Sequence, residues 1–339
     1  MARKLASIQL IDKLSPIEGA DRIEIASVQG WQAVVKKGDF SEGGKCIFCE
    51  VDSLLPDKPE FEFLHKSKYR IKTIRLRGQL SQGLCLTIDY LPIEYRELDV
   101  GTDITEIMGI NKYEPPLPKS ATGGQTKGSF PGYVPKTDEP RIQSNPGLLE
   151  EFRGVKFYTT VKIDGTSFTA AKLDSEIDIC SRSRSVKEDN NNVYWRMARK
   201  YDIVPVLKHA GNIAVQGEIA GWWQEGRSTI QGNPLKLKES ELFVFNVFDI
   251  LEGRYYSFDE LVHFCDYYRL QMVPVEHSSI VLNHTLEEIL SLSRGNYDSG
   301  EIREGLVWRP LIEQASQVLK GRASFKAINN DYLLKHGDR

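Results

Sequence analysis

"TTVKIDGTSF", residues 159–168, sets a lysine, a carboxylate and a glycine inside the chain's best strand-forming stretch. Extended upstream, "VKFYTTVKID" alternates with the period of a strand over residues 155–164. Val155, Phe157, Thr159, Val161 and Ile163 fall on one face, and Lys156, Tyr158, Thr160, Lys162 and Asp164 on the other. If the first face enters a core, Lys162 and Asp164 leave the second together. Gly165 allows a ligand or another backbone to approach closely, or a positive φ. A strand with a charged, solvated face would read the same way, because K-x-D-G is a short pattern.

Other strands repeat the arrangement. "IAVQGEIAG" buries Ile213, Val215 and Ile219 and projects Glu218, "REGLVWRP" puts Glu304 at the mouth of a strand beside Gly305, and "ASFKAIN" carries Lys326. Lone charges in apolar strands are costly unless they meet one another, a ligand or a metal. Lys162, Asp164, Glu218, Glu304 and Lys326 are therefore expected around one cavity. A free lysine, with a pKa of about 10.4, is protonated and inert at neutral pH. Desolvation or a nearby cation that brings it toward ~7–8 makes it a nucleophile. Glu218 and Glu304 suit a hard divalent ion such as Mg²⁺, bound through water.

The 339 residues suffice for two domains, with 40% hydrophobic and 27% charged residues and a formal net charge of −3. Nucleic-acid binding would need a local basic surface. The longest apolar run, "ELFVFNVFDIL", is too short to span a bilayer, and "MARKLASIQL" lacks the pattern of a secretory signal. Five cysteines, an odd number, fit a reducing compartment. Cys46 and Cys49 form a C-x-x-C, but in the strand "KCIFCEVD" they point to opposite faces, as packed thiols.

Residues 1–110 hold short strand-like runs ("IEIASVQ", "WQAVVKKG", "KCIFCEVD", "YRIKTIRLRG", "GLCLTID") that suggest a small β-barrel. Residues 111–139, rich in Pro and Gly, read as a linker. Residues 140–339 mix strands and helices as an α+β domain with antiparallel or mixed sheets. Capping boxes at Ser257/Glu260 and Thr285/Glu288 start two of its helices, and "NVYWRMARKYD" forms another. In the barrel, "HKSKYRIKTIRLRG" carries Lys66, Lys68, Arg70, Lys72, Arg75 and Arg77 with no acid. Strand parity puts the first four on one face and the last two on the other. With Tyr69 adjacent, they make a stripe suited to a phosphate backbone, or a solvated edge strand defended by cations.

In order, "KIDG", "GE", "VFDI", "EGLVWR" and "SFK" resemble motifs I, III, IIIa, IV and V of the lysyl nucleotidyltransferases, the superfamily of polynucleotide ligases and mRNA capping enzymes. The resemblance implies that Lys162 attacks the α-phosphate of ATP to form lysyl-AMP and release pyrophosphate. It implies that Asp164 contacts the ribose or metal waters, and that Glu218 and Glu304 order the hydration shell of Mg²⁺ or Mn²⁺. Lys326 would stabilise the α-phosphate. Phe248 would stack on adenine, with core packing as its other reading and Phe245 as a rival. The backbone at Thr160 and Val161 would read the adenine edge. Arg182 matches the motif Ia arginine, with Arg184 as the alternate.

The barrel precedes the core, and little chain follows Lys326. This resembles the nick-sealing RNA ligases with an amino-terminal OB module, a likeness strengthened by "GWQAVVKKGDF", "RLRGQLSQGL" and "PKTDEPRIQ". Arg141 would then assist the β- and γ-phosphates or merely make a linker contact. Ser324 departs from the pattern, standing where motif V usually has its first lysine; Lys320 or Arg322 are the substitutes. The reading implies an intracellular, cytoplasmic monomer (nucleus and organelle left open), away from membranes, sealing RNA 3′-OH and 5′-phosphate ends. A DNA ligase or GTP-using capping enzyme is one alternative. A non-catalytic nucleic-acid-binding protein with a degenerate core is the other.

Overall fold

The structure, a computed structural model, describes residues 4–114 and 126–337, so part of the expected linker, residues 115–125, lies outside the described residues. The chain forms two compact units. One joins Met1–Pro115 with Arg141–Gly147 and Asn330–Arg339; the other joins Pro116–Pro140 with Leu148–Asn329.

In the first unit Lys45–Cys49 lies between Ala6–Leu10 and Leu84–Leu86, both antiparallel to it. A second antiparallel sheet is the meander Lys13–Pro16, Ile23–Val28, Trp31–Lys36. Alternation along the central strand divides the interior. Ile47 and Cys49 pack with Ile8, Leu86 and Ile104, whereas Cys46 and Phe48 pack with Ala26, Val28 and Trp31. The two thiols of the C-x-x-C thus enter different cores, and burial pushes Cys49 up to about 12. All five cysteines are free and buried.

The basic segment is not one strand. Lys66 lies in the 3₁₀ helix Pro59–Ser67, and Lys68 and Tyr69 adopt left-handed φ angles of 53° and 60°. Strand structure resumes only in the hairpin Ile74–Leu76/Gln79–Ser81. The left-handed pair breaks the alternation that would have aligned the cations. Lys66, Lys68, Lys72, Arg75 and Arg77 are exposed. Arg70 is buried: its Nη2 lies 2.7 Å from Asp52 Oδ1 and its guanidinium sits 3.9 Å above the Tyr113 ring. Tyr69 is also buried, its hydroxyl bonded to Asp57.

The second unit contains two large antiparallel sheets. In the four-stranded sheet the order is Val275–Val281, Lys156–Val161, Gly305–Pro310, Phe325–Ile328. The lysine strand is interior, and Phe157 through Val161 are all buried. The alternation read from the sequence therefore does not separate core from solvent: Tyr158 and Thr160 are covered too. The strand also stops at Val161, so Lys162 and Asp164 leave it in a turn rather than from its face. Gly165 serves that turn. A Cβ there would sit 2.3 Å from the Ile219 carbonyl oxygen, which settles its close approach in favour of backbone.

The seven-stranded sheet runs Thr126–Ser129, Arg184–Val186, Glu176–Cys180, Thr166–Leu173, Ile213–Ala220, Glu241–Asp249, Arg254–Tyr255. Its first strand falls within the expected linker. With no apolar residue it carries no periodic signal, and it is held by pairing and by Lys127 Nζ, 2.8 Å from Asp178 Oδ1. Helices Val193–Lys200, Ile203–Ala210 and Phe258–Tyr268 cover one face around Phe168, Val215, Leu242 and Val247. Both capping boxes form, and Asn192 caps the first of these helices.

Removing Arg70 leaves Asp52 partly buried without its ion pair, whereas Lys68 is solvated. Arg70→Ala should cost about 2–3 kcal/mol, and Lys68→Ala almost nothing, in a denaturant titration.

Candidate active site

The two sheets of the second unit enclose a cleft lined by Thr137, Glu139, Thr160, Val161, Lys162, Glu218, Phe245, Val307 and Arg309, among others. Antiparallel pairing sets Val161 opposite Leu306, so the end of the lysine strand meets the beginning of the Gly305–Pro310 strand. The Lys162 amide donates to the Gly305 carbonyl at 2.9 Å, and Lys162 Nζ reaches Glu304 Oε2 at 2.7 Å. Gly305 is required here: its φ is +154°, and a Cβ would lie 2.1 Å from the Ala327 carbonyl oxygen.

Glu218 comes from the neighbouring sheet, where it pairs with Ser167 and Phe243. Its carboxyl is pushed up to about 8: burial is the largest cause, Glu304 and Asp164 add to it, and Lys162 and Arg182 oppose it. Lys162 moves the other way from the usual expectation for a nucleophile. Burial disfavours its charge, but Glu304, Glu218 and Asp164 outweigh burial and hold the ammonium above its ordinary value. In the ligand-free protein the lysine is charged. Asp164 is buried in the turn, its amide donating to the Tyr297 hydroxyl at 3.2 Å.

Two more cations meet at Asp138. Arg182 Nη2 lies 3.2 Å from its Oδ2 and Lys326 Nζ lies 3.6 Å from its Oδ1. Arg182, rather than Arg184, is the arginine that joins this cluster.

The two aromatic candidates differ in position. Phe248 is 6% exposed and packs with Val134, Ala171 and Ala214, apart from the cleft. Phe245 lines the cleft instead. The cause is a β-bulge: Gly217 pairs with Val244 but Gln216 with Asn246, leaving Phe245 as the extra residue. Thr160 and Val161 also line the cleft, though the Val161 amide already donates to the Pro274 carbonyl at 2.8 Å. Arg141 is not among the lining residues; it belongs to the first unit, with its guanidinium 5.5 Å from the Trp31 ring centre. Ser324 is buried, and Arg322 is bonded to Glu313 and, at 2.8 Å, to Asn246 Oδ1.

Reading the sequence missed Tyr297, Glu139 and Arg309. Arg309 is 2% exposed and pairs with Glu139 at 2.9 Å. Burial pushes the Glu139 carboxyl up, but Arg309 and Arg322 outweigh it and hold the group below its usual value. An arginine inside the apolar "GLVWRP" was the available signal for that pair.

The chemistry of the acids fits a divalent cation. Among the described residues no group of three His, Cys, Asp or Glu side chains is gathered to ligate an ion directly.

A family model for RNA ligases matches residues 155–328, and one for an OB-fold domain matches residues 5–88. No curated protein matches the chain. Among solved structures, the Naegleria gruberi RNA ligase with PPi is 37% identical, covers 99% of each chain and has a TM-score of 0.87. A mutant of that enzyme with ATP and Mn is 37% identical over 98% of this chain and 99% of its own, with a TM-score of 0.87. Another mutant, with AMP and Mn, reaches 0.88 at the same identity and coverage. With half of its length matched by the ligase model and the whole of it aligned to a 37% identical ligase, the chain belongs to the RNA ligase family, with an OB-fold domain ahead of its catalytic domain.

Proposed function

We propose that this ligase joins RNA 3′-OH and 5′-phosphate ends, principally nicks in a duplex, using ATP and Lys162 as the nucleophile. The observation that carries the reading is the 2.7 Å contact of Lys162 with Glu304 in a cleft that also gathers Glu218 and Phe245. ATP, AMP, PPi and Mn are the molecules held by the solved relatives, and they are the substrate, products and cation this chemistry uses.

In the first step the neutral amine of Lys162 attacks the α-phosphorus of ATP; the N–P bond forms, the bond to the bridging oxygen breaks, and pyrophosphate leaves. Lys326 and Arg182 stabilise the charge that builds on the α-phosphate oxygens. Phe245 stacks on the base, and the Thr160–Val161 segment forms the wall beside it. In the second step an RNA 5′-phosphate oxygen attacks the lysyl-AMP, freeing the amine and giving RNA-adenylate. In the third, the 3′-OH attacks the 5′-phosphorus, forming the phosphodiester and releasing AMP. Mg²⁺ or Mn²⁺, held through water by Asp164, Glu218 and Glu304, supplies the positive charge that weakens the hold of those acids on the lysine proton and offsets the phosphates. Glu304, already in contact with Nζ, steadies the lysine before attack.

The exposed cations Lys66, Lys68, Lys72, Arg75 and Arg77 are the RNA-facing surface of the OB domain; Arg70 supports the fold instead. The enzyme is read as acting as a monomer. The five free, buried thiols suit an intracellular, reducing compartment, here taken as the cytoplasm.

Incubation with α-labelled ATP and Mg²⁺ or Mn²⁺, followed by a denaturing gel, should label the wild type and leave Lys162→Ala unlabelled. Competition by GTP would support a capping enzyme, and equal joining of a nick with a 3′-terminal deoxynucleotide would remove the preference for RNA. An unlabelled wild type rejects catalysis through lysine.

Reversing Lys66, Lys72 and Arg75 to glutamate should weaken nick binding and flatten the dependence of log K on log salt by on the order of 1 per lost phosphate contact. An unchanged slope would take this surface out of the RNA interface.

Glu218 also makes a prediction about stability. Its carboxyl moves from an ordinary value of 4.5 to about 8 on folding, so between those values the folded protein keeps a proton that the unfolded chain gives up. Stability from this group falls as pH rises through that window. In the ligand-free protein, Glu218→Gln should raise the melting temperature relative to wild type, by more at pH 8 than at pH 5. A gain that shrinks toward pH 8 would contradict the assigned burial.

A further inference from the structure

The helix Leu286–Leu292 and the strand Gly305–Pro310 are joined by a loop that contains Tyr297. The loop is closed by a bridge between Asn296 and Ile302, and the Tyr297 amide donates to the Glu301 carbonyl at 2.8 Å. It is tied down at both sides. Arg303 Nη2 donates to the carbonyls of Leu292 and Arg294 at 2.9 and 2.7 Å, and Ser299 Oγ donates to the Pro234 carbonyl at 2.7 Å. Lys236 Nζ lies 3.1 Å from Glu301 Oε1.

This rigid loop holds the Tyr297 hydroxyl, on a residue only 7% exposed, among three backbone groups. The hydroxyl donates to the Lys162 carbonyl at 2.8 Å and accepts the amides of Asp164 and Glu304 at 3.2 and 3.1 Å. One proton and two lone pairs are thereby all used. Burial, reinforced by Glu304, pushes the phenol far above its ordinary value, so it keeps the proton it donates. The three backbone groups belong to the residues whose side chains are the amine and two of the three carboxylates of the cleft.

We propose that Tyr297 is a positioning residue for adenylyl transfer: its hydroxyl fixes the peptide groups of Lys162, Asp164 and Glu304 at one point and so sets the aim of the lysine amine. The inference rests on Lys162 being the nucleophile. Tyr297 is not among the residues that line the cleft, and its hydroxyl meets only backbone groups, so it acts through the backbone of the reacting residues. A lysine attached to a mobile turn would visit many directions, and in-line attack requires one.

The test is Tyr297→Phe, which keeps the packed ring and removes only the oxygen. Single-turnover self-adenylylation is measured over a range of ATP concentrations, together with joining of a pre-adenylylated RNA nick and thermal unfolding. The maximal adenylylation rate should fall about tenfold or more, the scale expected for a small misplacement of the reacting atom. Half-saturating ATP should move less than about threefold, because misplacement lowers the rate of a bound complex rather than its formation. Joining of the pre-adenylylated nick, which needs no attack by lysine, should fall far less than adenylylation. A wild-type maximal rate in the variant overturns the proposal, as does a rise in half-saturating ATP with the maximal rate kept. Equal loss of both reactions with the cooperative thermal transition abolished also overturns it, since the hydroxyl would then serve the fold alone. Absence of label on the wild-type protein would instead count against Lys162 itself.

Discussion

The contact of Lys162 with Glu304 is the constraint around which the second unit is arranged. The two residues lie more than a hundred positions apart in the chain, and they meet because one ends a strand where its antiparallel partner begins. Two backbone features help fix this meeting: the Lys162 amide on the Gly305 carbonyl, and the glycine that lets the Ala327 carbonyl approach. Neither charge could be brought this far from solvent alone, since burying an unpaired ammonium or carboxylate costs several kcal/mol. The pairing makes the burial tolerable, and burial makes the pair sensitive to any further charge that enters.

That sensitivity is visible in the ligand-free electrostatics. Three carboxylates share one lysine; the lysine is held protonated and Glu218 is driven up to about 8. A lysine held protonated is the reverse of one already prepared for nucleophilic attack. The same logic applies to Asp138, which sits between Arg182 and Lys326. Asp138 thus gives both cations a carboxylate partner. Arg309 with Glu139, which line the cleft, and Arg322 with Glu313 are also matched.

Much of this was legible because strands with isolated charges are unusual enough to be informative. Lys162, Glu218, Glu304 and Lys326 stood out against apolar neighbours, and the capping boxes at Ser257 and Thr285 marked two helices through a purely local rule. The C-x-x-C could be set aside on parity alone. What was not legible depended on events with no local signature. A bulge in Glu241–Asp249 inserts Phe245 as an extra residue and breaks the simple parity between it and Phe248, and left-handed residues at Lys68 and Tyr69 break the basic stripe and turn Arg70 inward. An interior strand has no solvent face to read, so the alternation around Lys162 described pairing and not exposure. Polar edge strands such as Thr126–Ser129 and Val275–Val281 are built by hydrogen bonds to neighbours, which their own sequences do not announce. Tyr297 was invisible for a related reason: its importance lies in the three peptide groups it touches.

Those three peptide groups also explain how a turn can serve where a strand was expected. A strand would have fixed Lys162 by its ladder, but it would have sent Asp164 to the same face at a spacing set by the pleat. A turn releases the two side chains from that spacing, and with it from the rigidity of the ladder. The close approach of Gly165 to the Ile219 carbonyl restrains one end of the turn, and the Gly305 carbonyl restrains the other. Between them the Tyr297 hydroxyl takes up the carbonyl and amide that no strand partner satisfies. The lysine thus gains a direction that regular structure does not offer, while its backbone remains as fully hydrogen-bonded as it would have been in the sheet.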